Sequence, residues 1–117
     1  MALVLGTSIS AHHNFAATYL EDQSVSIRGE LVQFLFRDPH SFVHVVVDEG
    51  DGRQVRYAVE WSGARQLLMA GVTEETLKAG DFLVITGSPG RIRSDHRVRL
   101  TSLRRPKDGL GLGPVWR

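Results

Sequence analysis

The sequence predicts an all-β domain with one helix, built as a five-stranded Greek-key barrel. Three observations carry this. Apolar and polar residues alternate in several separate stretches, two of these are joined by a tight Gly-rich turn, and the one good helical segment falls between the third and fourth stretches. A helix between strands three and four of five is the order of the OB-fold, so the expected architecture is OB-fold-like. An SH3-like barrel would not need that helix.

The first strand begins near Ser24. Val25, Ile27, Gly29 and Leu31 face one way, and Ser24, Ser26, Arg28 and Glu30 the other. The period breaks at residues 31–36, LVQFLF, where apolar residues occupy both faces, and such a break in a long strand predicts a bulge. The strand ends at DPH, 38–40, where Pro39 has no N–H to give a ladder. Val43, Val45 and Val47, then Val55, Tyr57 and Val59, alternate on either side of EGDG, 49–52, and predict an antiparallel hairpin. Residues 62–71, SGARQLLMAG, predict the helix, with Ser62 as its N-cap and Gly71 as its stop. Thr73 can cap a single turn. Residues 82–88 and 97–103 supply the last strands, joined by a polar loop. The expected division is a leader, 1–11, a barrel, 12–105, and a Gly-rich tail, 106–117, which stays loose unless Val115 and Trp116 dock.

At 117 residues the chain fits one domain, able to bury roughly two-thirds of its unfolded surface. Hydrophobic and charged fractions of 42% and 23% are ordinary for a globular protein. The lack of cysteine excludes disulfides, thiolate metal sites and cysteine nucleophiles. No apolar run reaches the roughly 18–20 residues of a membrane helix. Net charge is +1, yet residues 91–107 carry seven basic side chains against Asp95 alone, leaving the remainder acidic. That asymmetry suits either a polyanion surface or a strand edge guarded by charge. On the hairpin the aromatics are Phe42 and Tyr57, and Tyr57 shares its face with two valines, which places it in the core. Oligonucleotide binding is therefore the less favoured reading of the barrel.

The histidines carry more chemistry. His12 and His13 precede the barrel, and His40 and His44 share strand parity four residues apart. Imidazole is a common metal ligand, so His12, His13, His40 and His44 form the candidate metal set, with copper the expected ion. His96 reads as a solvated loop residue. The start MALVLGTSISA resembles the end of a signal peptide without a basic leader. Cleavage after Ser10 would leave Ala11-His12-His13, whose amine and third-position histidine favour square-planar Cu(II) or Ni(II). Cleavage after Ala11 would leave His12 first, able to chelate copper through its amine and ring. A retained Met1 removes both options and leaves a cytoplasmic protein.

No phosphate loop, GxSxG elbow or HExxH occurs, so the chain reads as a binding protein before an enzyme. Asp38, His40 and Glu60 are the candidates for acid–base chemistry, although turn chemistry and hairpin ends produce the same residues. A small-ligand or protein-partner adaptor remains a further reading. Barrel edges and the Val115–Trp116 tail offer a contact for a homodimer.

AHHNFAA, GELVQFLFRDPHSFVHVVV, YAVEW and LKAGDFLVITGSP together resemble an exported bacterial family of small domains of unknown function. Its members read His-His-Ser-Phe after a signal peptide, then Asn-Pro-His, then Leu-Lys-x-Gly-Asp before a strand. The similarity runs from Ala11 to about Leu103. His12, His13, Phe15, Pro39, His40, Glu60, Gly80 and Asp81 match, whereas Asn14 replaces Ser and Asp38 replaces Asn. The resemblance implies a periplasmic or secreted β-barrel and supplies no activity.

Overall fold

The computed structural model describes residues 15–113. The expected leader, His12, His13, Val115 and Trp116 lie outside these residues. Six strands follow in order: β1 (Val25–Leu35), β2 (Ser41–Asp48), β3 (Gln54–Trp61), β4 (Phe82–Pro89), β5 (Arg97–Arg105) and β6 (Leu110–Leu112), with helix α1 (Ala64–Met69) between β3 and β4. The sheet runs β3-β2-β1-β4-β5-β6, and a parallel pairing of β3 with β5 closes the first five strands into a barrel. This is the OB-fold architecture that the sequence predicts.

Alternation becomes burial as expected. Val43, Val45, Val59, Leu83, Ile85, Val98 and Leu100 are sealed inside, while Arg28, Glu30 and Arg56 face solvent. The predicted irregularity of β1 is a register shift against β2 between Leu31 and Gln33. It lets one long strand pair with β2 along its second half and β4 along its first. The hairpin keeps continuous register from Ser41↔Trp61 to Asp48↔Gln54, and Asp48 Oδ1 accepts the Gly50 N–H at 2.9 Å in the turn.

The helix is shorter than expected, and its cap differs. Gly63, not Ser62, is the N-cap, and Ser62 is fully buried. The first-turn donors are met from the β1–β2 loop instead: Ala64 N donates to Arg37 O at 2.9 Å and Arg65 N to Asp38 Oδ1 at 3.2 Å. Glycine is required at 63, because a Cβ there would lie 2.5 Å from both Asp38 Oδ1 and Pro39 O. Asp38 thus serves as a helix cap from 27 residues away. We expect Asp38→Ala to cost about 1 kcal/mol of stability, measured by urea unfolding, as loss of an N-cap does. At the other end Gly71 is left-handed (φ 88°), with Gly71 N bonded to Leu68 O and Val72 N to Leu67 O. This is a Schellman stop, and Val72 and Leu67 are both buried behind it.

The tail is not loose throughout. Arg105 grips Asp108 through Nε and Nη2 at 3.0 and 2.9 Å, Gly109 turns left-handed, and β6 pairs with β5. Leu110 and Leu112 then pack on the core from one face of this short strand.

Candidate functional site

Glu60 should point to solvent, because its neighbours Val59 and Trp61 on β3 are both buried. Its exposure is nevertheless 6%. The cause lies before β1. Residues 15–18 make a helical turn, and the chain then crosses beside β4 and β5. Leu20 N donates to Pro89 O, Arg91 N to Thr18 O, and Arg91 Nε to Ala16 O, at 2.9, 2.9 and 2.7 Å. Tyr19 pairs with Gly90 as an isolated bridge and is 1% exposed.

Under this segment the Glu60 carboxylate is held on both oxygens. Tyr19 Oη donates to Oε1 at 2.6 Å, and Arg97 Nη2 reaches Oε1 at 3.0 Å and Tyr19 Oη at 3.1 Å. His40 Nδ1 lies 2.6 Å from Oε2. A buried carboxylate without partners is costly, and here a guanidinium, a phenol and an imidazole compensate it. Burial pushes the Tyr19 phenol well above its ordinary value of 10, the hydrogen bond to Glu60 and its charge add to this, and Arg97 opposes it. The folded state therefore holds this proton more tightly than the unfolded chain. Its contribution is complete below pH 10 and is lost as pH rises beyond that. Unfolding free energy should fall with pH above 10 in the natural chain, and this slope should flatten in Tyr19→Phe.

An aromatic layer surrounds the pair. The Phe15 ring lies 5.8 Å from that of His40 and 6.5 Å from that of Tyr19. The Arg99 guanidinium sits 3.8 Å above Phe15 and is paired with Glu21 at 2.7 Å. The His40 side chain keeps 42% of its surface exposed. A neutral imidazole that donates from Nδ1 to this carboxylate carries its lone pair on Nε2, the arrangement of a base or a metal ligand.

Of the sequence-derived candidates, His40 and Glu60 meet. Asp38 does not join them as the expected acid partner, since its carboxylate caps α1. His44 stands apart on the outer face of β2, where its Nδ1 accepts from Arg56 Nε at 3.1 Å. Burial, then the charges of Arg56 and Arg37, lower its pKa, as fits an acceptor imidazole beside guanidinium groups. Among the described residues no three His, Cys, Asp or Glu side chains form a metal cluster. Sequence reasoning missed Tyr19 and Arg97 as parts of the site. The one signal for Tyr19 was its i, i+4 spacing from Phe15. Tyr57, expected in the core, is half-buried at the barrel mouth and donates to Glu49 Oε2 at 3.2 Å.

A family model matches residues 2–99, a span that holds Tyr19, His40, Glu60 and Arg97 together with His12 and His13. The chain belongs to DUF6152, a family of unknown function. DUF6152 therefore covers the first four strands and β5 as far as Arg99. No curated protein matches the chain. Among solved structures, the barrel is similar to Rim1, a mitochondrial single-stranded DNA binding protein from S. cerevisiae, with a TM-score of 0.53 and 12% identity. The match covers 79% of this chain and 95% of that one. At this identity the likeness concerns the OB-fold alone.

Proposed function

We propose that this DUF6152 chain is a small exported OB-fold protein that binds a transition metal, copper in the first place, with His40 as a ligand. The observation that carries the reading is the 2.6 Å contact between His40 Nδ1 and the buried Glu60 carboxylate. Metal-ligating histidines almost always donate their second ring N–H to a carboxylate or carbonyl, which fixes tautomer and ring orientation. His12 and His13 are the proposed partners. They stand two and three residues before Phe15, whose ring lies against His40. At roughly 3.3–3.6 Å per residue, that stretch of chain can reach the His40 ring. Export would add a free amine at Ala11 or His12 and complete a nitrogen-rich set suited to Cu(II). His44, with Nδ1 engaged by Arg56, is left out of it.

His40→Ala and His13→Ala should each lower Cu(II) affinity at least tenfold, about 1.4 kcal/mol, by isothermal titration. Unchanged titrations in both variants would remove the reading. Intact mass after expression with a complete leader tests export: a chain starting at Ala11 or His12 supports it, and one retaining Met1 refutes it.

Oligonucleotide binding is the second reading. It is favoured by Phe42 on the outer face of β2, with the Arg37 and Arg97 guanidinium groups 5.4 and 5.8 Å from its ring. Base-stacking aromatics among cations on strands two and three are how OB-folds hold single strands. It requires retention on single-stranded DNA that weakens steeply with salt and is lost in Phe42→Ala.

A further inference from the structure

The helix α1 closes one end of the barrel, where Leu67, Val72, Leu77 and Trp61 are all buried. At the other end lies a groove of about 590 Å³, within the range of small-ligand sites. Its floor is apolar, made by Val25, Ile27, Val47 and Val98. One wall is the Tyr57 ring, which the His96 ring meets edge-on at 5.2 Å between centroids and 73° between planes.

This wall is built rather than incidental. His96 occupies the left-handed region at φ 49° and ψ 56°, a conformation that non-glycine residues adopt at some cost. It is held there by its own backbone, because Ala58 N donates to His96 O at 3.0 Å and His96 N to Arg93 O at 3.1 Å. The Tyr57 hydroxyl is fixed by Glu49.

The rim charges are unequal in what they can offer. Asp48 Oδ1 accepts the Gly50 N–H, and Glu49 accepts from Tyr57. Arg97 is engaged by Glu60. Arg28 and Arg93 also line the groove, are exposed, and have no carboxylate partner among the described residues.

We propose that this open barrel end is a binding site for a small planar aromatic anion, its ring against Tyr57, His96 and the valine floor and its carboxylate between Arg28 and Arg93. The site is separate from His40, so it stands whatever becomes of the metal reading. An apolar floor with an aromatic wall selects the ring, and the Arg28 and Arg93 guanidinium groups select the charge.

The test uses the full chain with 2-naphthoate and its neutral analogue 2-naphthalenemethanol, by isothermal titration at low salt. The carboxylate should bind at least tenfold more tightly than the alcohol. Arg28→Gln with Arg93→Gln should abolish that preference, while His40→Ala should leave it intact. In amide NMR spectra, shifts should concentrate at Val25, Val47, Tyr57 and His96. Equal affinity for the two compounds, no binding of either, or a preference that survives the double substitution would each overturn the assignment.

Discussion

Glu60→Ala should lower unfolding free energy by about 3 kcal/mol. The size follows from what is left behind. Tyr19 Oη, buried at 1% exposure, loses its acceptor, and an orphaned buried donor costs about 1–3 kcal/mol. Arg97, which is partly exposed, can rehydrate, so its share is smaller than that of a sealed ion pair. Against a typical domain stability of about 5–15 kcal/mol, the loss is large. Urea unfolding of Glu60→Ala, Tyr19→Phe and the double variant measures it. The effects should be far from additive, because both substitutions break the same hydrogen bond. Additive effects would mean that the 2.6 Å contact contributes nothing.

Gly87→Val should be at least as damaging, for a reason with no electrostatic part. Gly87 sits at the register shift between β4 and β5, next to the strand that closes the barrel. A Cβ there would lie 2.1 Å from Arg99 O and 2.7 Å from Val98 Cγ1. The first neighbour is backbone and cannot rotate aside. Separating the strands would disturb the pairing of Glu60 with Arg99 as well as β4 with β5. Overpacking commonly costs about 1–3 kcal/mol, and a backbone clash at barrel closure belongs at or above the top of that range. Gly111→Ala is the control, since nothing lies within 4 Å of a Cβ at that position. It should change thermal stability little, whereas Gly87→Val should lower the melting temperature sharply or prevent folding.

The barrel was legible because period-two alternation is a local signal. Val43, Val45 and Val47 against Phe42 and His44 define a face without knowledge of any partner strand. Gly71 was legible for the same reason, as its left-handed stop depends only on the turn before it. The helix cap was misread because a serine stood where local rules place a cap, while the acceptor was supplied by Asp38 from another loop. The tail looked loose because its glycines mask two leucines with a common face, and because Asp108 organises the turn only once Arg105 is placed beside it. The site was half legible. Pairing across β2 and β3 puts Glu60 opposite Phe42, close to His40, but its burial depends on residues 15–20 crossing the barrel. No periodicity within β3 carries that information.

The proposed metal site depends on Glu60 to prepare the His40 ring, and Glu60→Gln isolates that role with little change of shape. The glutamine oxygen can still accept from Tyr19 and Arg97. Its NH₂ group would then face His40 Nδ1, which must become an acceptor and move the ring proton to Nε2. The Cu(II) affinity of Glu60→Gln, measured by competition titration beside the natural chain at neutral pH, should fall roughly 10–100-fold while the fold is kept. An affinity equal to that of the natural chain would contradict this role of Glu60.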